Sequence, residues 1–316
     1  MPARKQVERP SSSGRVSHER LTLPLKGPGG EPIDLRRTLC SHGFVELAPS
    51  VPDDDYRGMT TTLALRHGAR TIHFFEASPG TLAIDVAGPR PSAKTSDEIE
   101  RAVHVMLALD DNLSPFYALL AGDPILEWAT KGAGRLYRSL TAFEDVIKTI
   151  LTTNCAWSAT IRMNNALVQH LGAEAPGGAH AFPTPQEMGG APLSFYKDVA
   201  RAGYRGPYLR SLAKSVASGE IDLEALRAAD RTVLDDEALE KQLRALPGVG
   251  PYAAAHIMML FGRRHRLVLD SATRPRYAKL TGRKTKDSTI VRKFARYRND
   301  AGLAFWLYIT RHWIKE

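Results

Sequence analysis

The stretch Leu246-Pro247-Gly248-Val249-Gly250 decides the fold, because it closes one predicted helix and opens the next. Gly248 and Gly250 can adopt backbone angles that other residues avoid. The amides at the start of the following helix are then left bare at the positive end of the helix dipole, where they bind phosphate. The turn is therefore predicted to hold a nucleic-acid backbone without reading any base.

A single carboxylate follows this turn at the far end of the next helix. Asp270 lies eighteen residues after Tyr252 and comes directly after the apolar run Leu267-Val268-Leu269. One element is thus predicted to hold DNA while the other brings an acid to it. Because Asp270 precedes Ser271 and a helical stretch, a simple helix N-cap is the alternative interpretation.

The hairpin and the aspartate together resemble the signature of the helix-hairpin-helix DNA glycosylase superfamily. Its members include endonuclease III, adenine glycosylase, 8-oxoguanine glycosylase and 3-methyladenine glycosylase II. The hairpin from Leu246 to Gly250 alone is only moderately specific, since polymerases, ligases and nucleases also carry one. The order of hairpin, helix, apolar run and Asp270 is much more specific to the glycosylases.

The predicted fold class is α+β, with a small N-terminal antiparallel sheet domain followed by an all-helical region. Residues 1–20 are charged and polar and are predicted to form a disordered tail. Residues 21–94 alternate as strands do, whereas residues 95–316 have helical periodicity. The predicted strands are 60–65, 71–75 and 81–86. The predicted helices are 98–109, 113–120, 143–153, 157–171, 193–202, 208–218, 237–246, 252–261, 289–298 and 303–313.

This order of sheet and helices matches the alkylpurine and oxoguanine branch of the superfamily. The resemblance implies that the helical region has two lobes with a DNA cleft between them. The segments Leu35-Arg36-Arg37-Thr38-Leu39 and His42-Gly43-Phe44 resemble the start of the sheet domain in that branch. No chemistry is assigned to these two segments.

Composition limits the kind of binding partner and the cellular compartment that we expect. A formal net charge of +9 suits a polyanionic partner, here double-stranded DNA containing a damaged base. The two cysteines, Cys40 and Cys155, cannot supply a four-thiolate iron–sulfur cluster, and they fit a reducing compartment. No apolar run reaches the length of a membrane span. We therefore expect a monomer without membrane association that is cytoplasmic, bound to the nucleoid in a bacterium or nuclear in a eukaryote.

Two residues set the predicted chemistry. Breaking a glycosidic bond passes through an oxocarbenium-like sugar, and a carboxylate such as Asp270 stabilises that charge and orients water. Relatives that also cut the DNA backbone carry a lysine where this chain has Tyr252. Because Tyr252 cannot form a Schiff base, the resemblance implies hydrolysis without strand cleavage, although a lysine elsewhere in the chain is a possible substitute.

Two segments are predicted to contact DNA beside the hairpin glycines Gly248 and Gly250. A base must leave the stack before it is attacked, and Asn154 aligns with the residue that fills the resulting gap in the family. The alternative is that Asn154 caps the helix starting at Trp157. In the oxoguanine branch an aromatic wedges into the opposite strand where this chain has Tyr204. Its neighbour Arg205 is then predicted to reach the unpaired base or a phosphate.

The family also places a monovalent cation at the hairpin, held by backbone carbonyls. In this chain those carbonyls belong to Arg244, Leu246 and Val249. The cation is an expectation from the resemblance alone, since carbonyls leave no signal in the sequence. The predicted reaction needs no other cofactor.

The candidate walls of the base pocket are aromatic. They are Trp157, Tyr208, Tyr252, Phe305 and Trp306. Cationic alkylated purines stack well on such faces. Oxoguanine enzymes carry a glutamine in the last helix near the register of Phe305, so its absence argues against oxoguanine. Each of these aromatics has core packing as its alternative.

The C-terminal half is rich in cations that can contact phosphates or form a solvated face. They are Arg263, Arg264, Arg266, Arg274, Arg276, Arg283, Lys284 and Lys286. The sequence predicts a monofunctional DNA glycosylase of base excision repair that acts on an alkylated purine. Two alternatives are an oxidised-purine glycosylase, with or without lyase activity, and a catalytically silent binder of distorted DNA.

Overall fold

A computed structural model describes residues 19–314, so residues 1–18 of the predicted tail lie outside the described part. Glu19 and Arg20 belong to a strand rather than to a tail, because they pair with Val86 and Asp85. The Arg20 guanidinium also contacts the Asp85 carboxylate, with Nε and Oδ1 2.7 Å apart. The first strand, Glu19–Pro24, therefore includes two residues that the composition assigned to the tail.

The N-terminal part is a five-stranded antiparallel sheet in the order β1-β5-β4-β3-β2, which confirms the predicted fold class. The strands are β1 (Glu19–Pro24), β2 (Val51–Pro52), β3 (Gly58–Leu65), β4 (Gly68–Ser78) and β5 (Thr81–Val86). Strands β3, β4 and β5 follow the three predicted segments, and tight turns join Leu65 to Gly68 and Ser78 to Thr81. Strand β2 was not predicted because two residues are too few for an alternating pattern.

Thirteen α-helices lie within residues 19–314, and none of them is long and apolar enough to cross a bilayer. They are α1 (Leu35–Leu39), α2 (Ala93–Met106), α3 (Ser114–Leu120), α4 (Ala142–Thr152), α5 (Trp157–Leu171), α6 (Pro185–Gly190), α7 (Arg205–Ala217), α8 (Leu223–Ala228), α9 (Asp236–Ala245), α10 (Pro251–Leu260), α11 (Thr273–Thr281), α12 (Asp287–Phe294) and α13 (Ala301–Thr310). The predicted helix 193–202 is instead a π-helical turn at Phe195–Val199. The division of the helical region into two lobes stays a prediction.

One core joins the sheet to the first long helix. Ile99 and Val103 of α2 are fully buried against sheet residues such as Ile72, Phe74 and Ile84. The core of the sheet therefore continues past the predicted boundary at residue 94.

Helices α4 and α13 lie at the centre of the helical region. Every residue of α13 is buried, as is α4 from Ala142 to Leu151. The second residue of α13 must be glycine, because a Cβ on Gly302 would lie 2.0 Å from the carbonyl oxygen of Arg266. The Gly302 amide instead donates to the Arg264 carbonyl at 2.8 Å. This close contact fixes the segment after α10, and that segment leads to Asp270.

Candidate active site

The hairpin is formed by α9, the turn at 246–250 and α10. Leu246 and Val249 are buried, and the Val249 amide donates to the Leu246 carbonyl at 3.1 Å. Gly248 has a φ of +82°, the left-handed conformation that glycine adopts without strain. Gly250 begins α10 with no side chain capping its first turn, and a Cβ there would meet only open space. The helix therefore starts with bare amides on an accessible side.

Asp270 is half-buried and begins the turn that leads into α11. Its Oδ1 accepts the amides of Ala272 and Thr273 at 2.8 and 2.6 Å, and its own amide donates to Thr273 Oγ1 at 2.9 Å. The carboxylate thus holds the turn before α11, close to what the capping interpretation expected, although the N-cap residue of α11 itself is Ala272. This role does not exclude catalysis, because Oδ2 accepts no hydrogen bond from any residue within 19–314. One oxygen fixes the carboxylate while the other is available.

Tyr252 lies in the first turn of α10, close enough to Asp270 for the carboxylate charge to act on its hydroxyl. Burial raises the pKa of the Tyr252 hydroxyl, and the Asp270 charge raises it further. The hydroxyl also lies 3.4 Å from Thr152 Oγ1 at the end of α4. The hairpin helix and the end of α4 therefore meet at Tyr252, within electrostatic range of Asp270.

A cluster of rings lies behind Tyr252, and the sequence analysis assigned chemistry to only part of it. His256 follows Tyr252 by one helical turn, with ring centroids 6.2 Å apart. Its ring is 5.6 Å from that of His42, 5.2 Å from Phe44 and 6.4 Å from Trp306. We call Tyr252, His256, His42, Phe44 and Trp306 the aromatic cluster. The spacing of Tyr252 and His256, four residues apart on one helix face, was the signal available in the sequence.

Most polar atoms of the aromatic cluster already have partners. His42 Nε2 donates to the Tyr137 carbonyl at 2.6 Å, and its Nδ1 accepts the Phe44 amide at 3.3 Å. Trp306 Nε1 donates to the Ser41 carbonyl at 2.8 Å. Burial lowers the pKa of His42 to about 3 and that of His256 to about 4. Both imidazoles are therefore neutral at pH 7.

The structure separates the predicted pocket walls. Tyr252 and Trp306 belong to the aromatic cluster, and the ring of Trp157 covers Gly43, where an added Cβ would lie 2.8 Å from Cη2. Tyr208 packs instead on the hairpin, with its Cδ2 3.2 Å from a Cβ built on Gly248. Phe305 was wrongly predicted as a wall. It is fully buried among core rings, because α13 has no solvent-facing side.

Two exposed side chains project together from the loops before α5 and α7. Asn154 has a φ of +47°, and its Nδ2 lies 3.4 Å from the hydroxyl of Tyr204, which is 53% exposed. Hydrogen bonds from Thr153 and Asn154 lower the pKa of Tyr204. Asn154 does not cap α5, whose N-cap is Ala156. Both side chains are therefore exposed, and their predicted contact with DNA stays a prediction.

Arg205 requires a correction, because it is buried rather than presented to DNA. Only 6% of the residue is exposed, and its guanidinium donates to the Thr153 carbonyl and, at 3.3 Å, to Thr153 Oγ1. Its Cζ also lies 4.6 Å from the centre of the Tyr204 ring. Arg205 therefore holds the loop that carries Asn154 against the residue that carries the exposed tyrosine.

Replacing Arg205 with alanine is expected to lower the free energy of unfolding by roughly 2 kcal/mol, because the half-buried Thr153 carbonyl loses a charged donor. Binding to a lesion-containing duplex should weaken with it, as Asn154 and Tyr204 lose their fixed separation. Chemical denaturation and fluorescence anisotropy measure the two effects. Loss of DNA binding at unchanged stability would instead mean that Arg205 contacts DNA directly.

Several of the predicted phosphate contacts are occupied by carboxylates. Arg263 is buried and contacts Asp236 at 2.8 Å, and Arg264 contacts Asp300 at 2.9 Å. Arg266 and Arg274 pair with Glu240 and Asp287, and Arg276 stacks on Trp313. Three cations of the turn after α11 are exposed and have no ion pair within residues 19–314. They are Arg283, Lys284 and Lys286. For these three residues, phosphate binding stays a prediction.

The predicted cation site can be described only in part. The Leu246 carbonyl already accepts the Val249 amide, so the turn itself uses one of the three proposed carbonyls. A carbonyl oxygen has a second lone pair, so this hydrogen bond leaves room for a cation. Coordination by Arg244, Leu246 and Val249 stays a prediction.

No protein-family model matches the chain. A curated relative, the DNA-3-methyladenine glycosylase of Bacillus subtilis strain 168, is 25% identical over 168 residues. The alignment covers 52% of this chain and 54% of the relative. The chain therefore spans about half the length of the curated relative that it matches.

Solved structures match nearly the whole chain. The 3-methyladenine DNA glycosylase from Archaeoglobus fulgidus has a TM-score of 0.71 at 18% identity, covering 93% of this chain and 100% of that one. The apo 8-oxoguanine glycosylase/lyase of Clostridium acetobutylicum has a TM-score of 0.68 at 16% identity, covering 93% and 98%. Its complex with double-stranded DNA containing cytosine opposite 8-oxoG also has a TM-score of 0.68 at 16% identity, covering 94% and 98%. The predicted resemblance is confirmed at the level of the fold.

Proposed function

We propose that this chain, which has the fold of the helix-hairpin-helix DNA glycosylases, is itself a DNA glycosylase of base excision repair. It binds double-stranded DNA as a monomer, everts a damaged purine and hydrolyses the N-glycosidic bond. The observation that supports this most is the Asp270 carboxylate. One of its oxygens accepts two amides at the start of α11, and the other accepts no hydrogen bond within residues 19–314, while the carboxylate charge acts on Tyr252 of the hairpin helix.

The proposed reaction assigns each bond change to a group. A water oxygen bonds to C1′ of the sugar as the bond from C1′ to the base nitrogen breaks, and the electron pair of that bond leaves with the base. Asp270 stabilises the positive charge that develops on the sugar and accepts a hydrogen bond from the attacking water. The proton lost by water passes to Asp270 or to solvent.

An alkylated purine is the substrate class that this site fits best. A purine alkylated at N3 or N7 is a cation, so it leaves as a neutral base and needs no general acid. His42 and His256 are neutral at pH 7, since burial lowers their pKa to about 3 and about 4. Burial also raises the pKa of Tyr252. The aromatic cluster therefore offers π faces to a cationic base but no strong acid to an anionic leaving group.

Hydrolysis without strand cleavage is supported by two residues near the proposed reaction centre. Tyr252 occupies the position from which a lysine attacks the sugar in lyase relatives. Lys148 on the adjacent α4 is fully buried, with Nζ 2.6 Å from Glu144 Oε1. A lysine held in this way cannot approach a sugar beside Asp270 without breaking a buried ion pair.

The test is base release from duplexes that carry single lesions. We expect the full chain to release 3-methyladenine or 7-methylguanine and to cut the strand only after hot alkali. The panel includes 8-oxoguanine opposite cytosine, because oxoguanine enzymes are among the similar structures. Release of 8-oxoguanine alone would favour the oxidised-purine alternative, and a covalent adduct after borohydride would expose a hidden amine. No release from any lesion would favour a silent binder of distorted DNA.

A further inference from the structure

His256 is the member of the aromatic cluster whose ring nitrogens lack a hydrogen-bonding partner among the described residues. Neither ring nitrogen donates or accepts a hydrogen bond within residues 19–314, and Nε2 is shielded from solvent. The other polar atoms of the cluster are satisfied, as in His42 and Trp306. Buried polar atoms in native proteins are normally paired, so this unpaired ring nitrogen is available to a ligand.

The position of His256 indicates what that ligand is. His256 lies one turn behind Tyr252 on the same face of α10, and Tyr252 is close enough to Asp270 for the carboxylate charge to act on its hydroxyl. The residue as a whole is half-buried, although Nε2 itself is shielded from solvent. A base everted so that its sugar faces Asp270 would extend along this face and come to the imidazole.

We infer that His256 reads the edge of the everted purine and so determines which base is released. This inference rests on the proposed function, because it assigns the substrate contact within the same site. A neutral imidazole carries one donor and one acceptor, which suits the paired donors and acceptors along a purine edge. Since burial keeps His256 uncharged, it also does not repel a cationic alkylated base.

The first variant is His256→Phe, which keeps a ring of similar shape and removes both nitrogens. We expect single-turnover release of the preferred purine to fall by roughly 10- to 100-fold, as for the loss of one buried hydrogen bond. Release of a less preferred lesion should fall less, so that the order of rates within the panel changes. Affinity for a duplex with a tetrahydrofuran abasic analogue should be unchanged, because that duplex has no base to read.

Two further variants distinguish recognition of the base by His256 from a purely structural role of its ring. His256→Gln and His256→Asn place an amide near Nε2 and Nδ1, and at least one should recover part of the lost rate. His170→Phe is the matched control, since it makes the same change in a ring that contacts Phe195 far along the chain from α10. It should leave all rates unchanged. Equal losses on every lesion with a lower melting temperature would assign His256 to packing alone and overturn the inference.

A second measurement keeps this inference separate from the proposed function. Duplexes with a 2′-fluoro sugar resist cleavage, so they report binding of the lesion without chemistry. One outcome is that the parent protein releases no base and still prefers the 2′-fluoro lesion duplex. If His256→Phe then loses that preference, the contact between His256 and the base is supported and the glycosylase proposal is wrong. If the parent releases base and His256→Phe keeps the same rates and order, the reading contact is wrong. If the parent neither releases base nor prefers the lesion duplex, both fall.

Discussion

Asp270→Asn is expected to lower single-turnover base release by about 10³-fold, the scale measured when one electrostatic group of an active site is removed. The reason is that the amide cannot stabilise positive charge on the sugar as a carboxylate does. Rates are measured with enzyme in excess over a duplex that carries the preferred lesion. Affinity for an abasic-analogue duplex should stay within about threefold, because the phosphate contacts proposed at the hairpin are untouched.

The double role of Asp270 makes the choice of variant important. Asparagine keeps an Oδ1 that still accepts the amides of Ala272 and Thr273, so the start of α11 should fold as before. Thr273→Ala is the matched control. It removes the hydroxyl that accepts the Asp270 amide and leaves the carboxylate in place. If Asp270→Asn releases bases at the parent rate, or if Thr273→Ala costs as much activity, Asp270 is a cap and not the catalytic group.

Two local features of the site depend on neighbouring residues. The sequence analysis allowed a positive φ at Gly248 and gave a capping role for Asp270 as the alternative interpretation, and both follow from residues within a few positions of each other. The alternation in β3 to β5 is local in the same way, and the tight turns between these strands confirm it. The features of this protein that depend on short-range interactions are therefore the ones that its sequence predicts.

The parts that were missed or misassigned depend on contacts between distant segments. Arg205 was expected to face DNA, but its partner Thr153 is 52 residues away, and nothing in the local sequence indicates that the guanidinium turns inward. Phe305 was expected in a pocket, but α13 is buried on all sides. His256 was overlooked because its surroundings come from His42 and Phe44, more than 200 residues earlier in the chain.

Helix length explains why three of the helices were not predicted. Helices α1, α6 and α8 contain 5, 6 and 6 residues, which is less than two turns. An amphipathic pattern cannot be recognised over so few positions. Their caps were the available signal: Asp34 caps α1, Thr184 and Glu187 form a capping box on α6, and Asp222 caps α8. The core packing that completes these helices is not visible in a single sequence.

Gly250→Ala is expected to weaken DNA binding by about tenfold while leaving the melting temperature within about 1 °C of the parent. Gly250 has φ −91° and ψ −176°, an extended conformation that alanine adopts without strain, and its added Cβ would meet no protein atom. The methyl group would instead stand in front of the first amides of α10. If those amides hold a phosphate, the methyl group pushes it away, and fluorescence anisotropy with an undamaged duplex measures the loss.

Gly248→Ala is the comparison in the same turn, and unlike Gly250→Ala it should lower the melting temperature. Alanine at a φ of +82° costs about 1–2 kcal/mol, and the new Cβ would lie 3.2 Å from Tyr208 and 3.3 Å from Ile150. A chain of this size should then melt roughly 2–4 °C lower. Parent-like DNA affinity in Gly250→Ala would contradict the proposal that the first amides of α10 hold a phosphate. A methyl group in front of those amides should weaken that contact even though it does not strain the backbone.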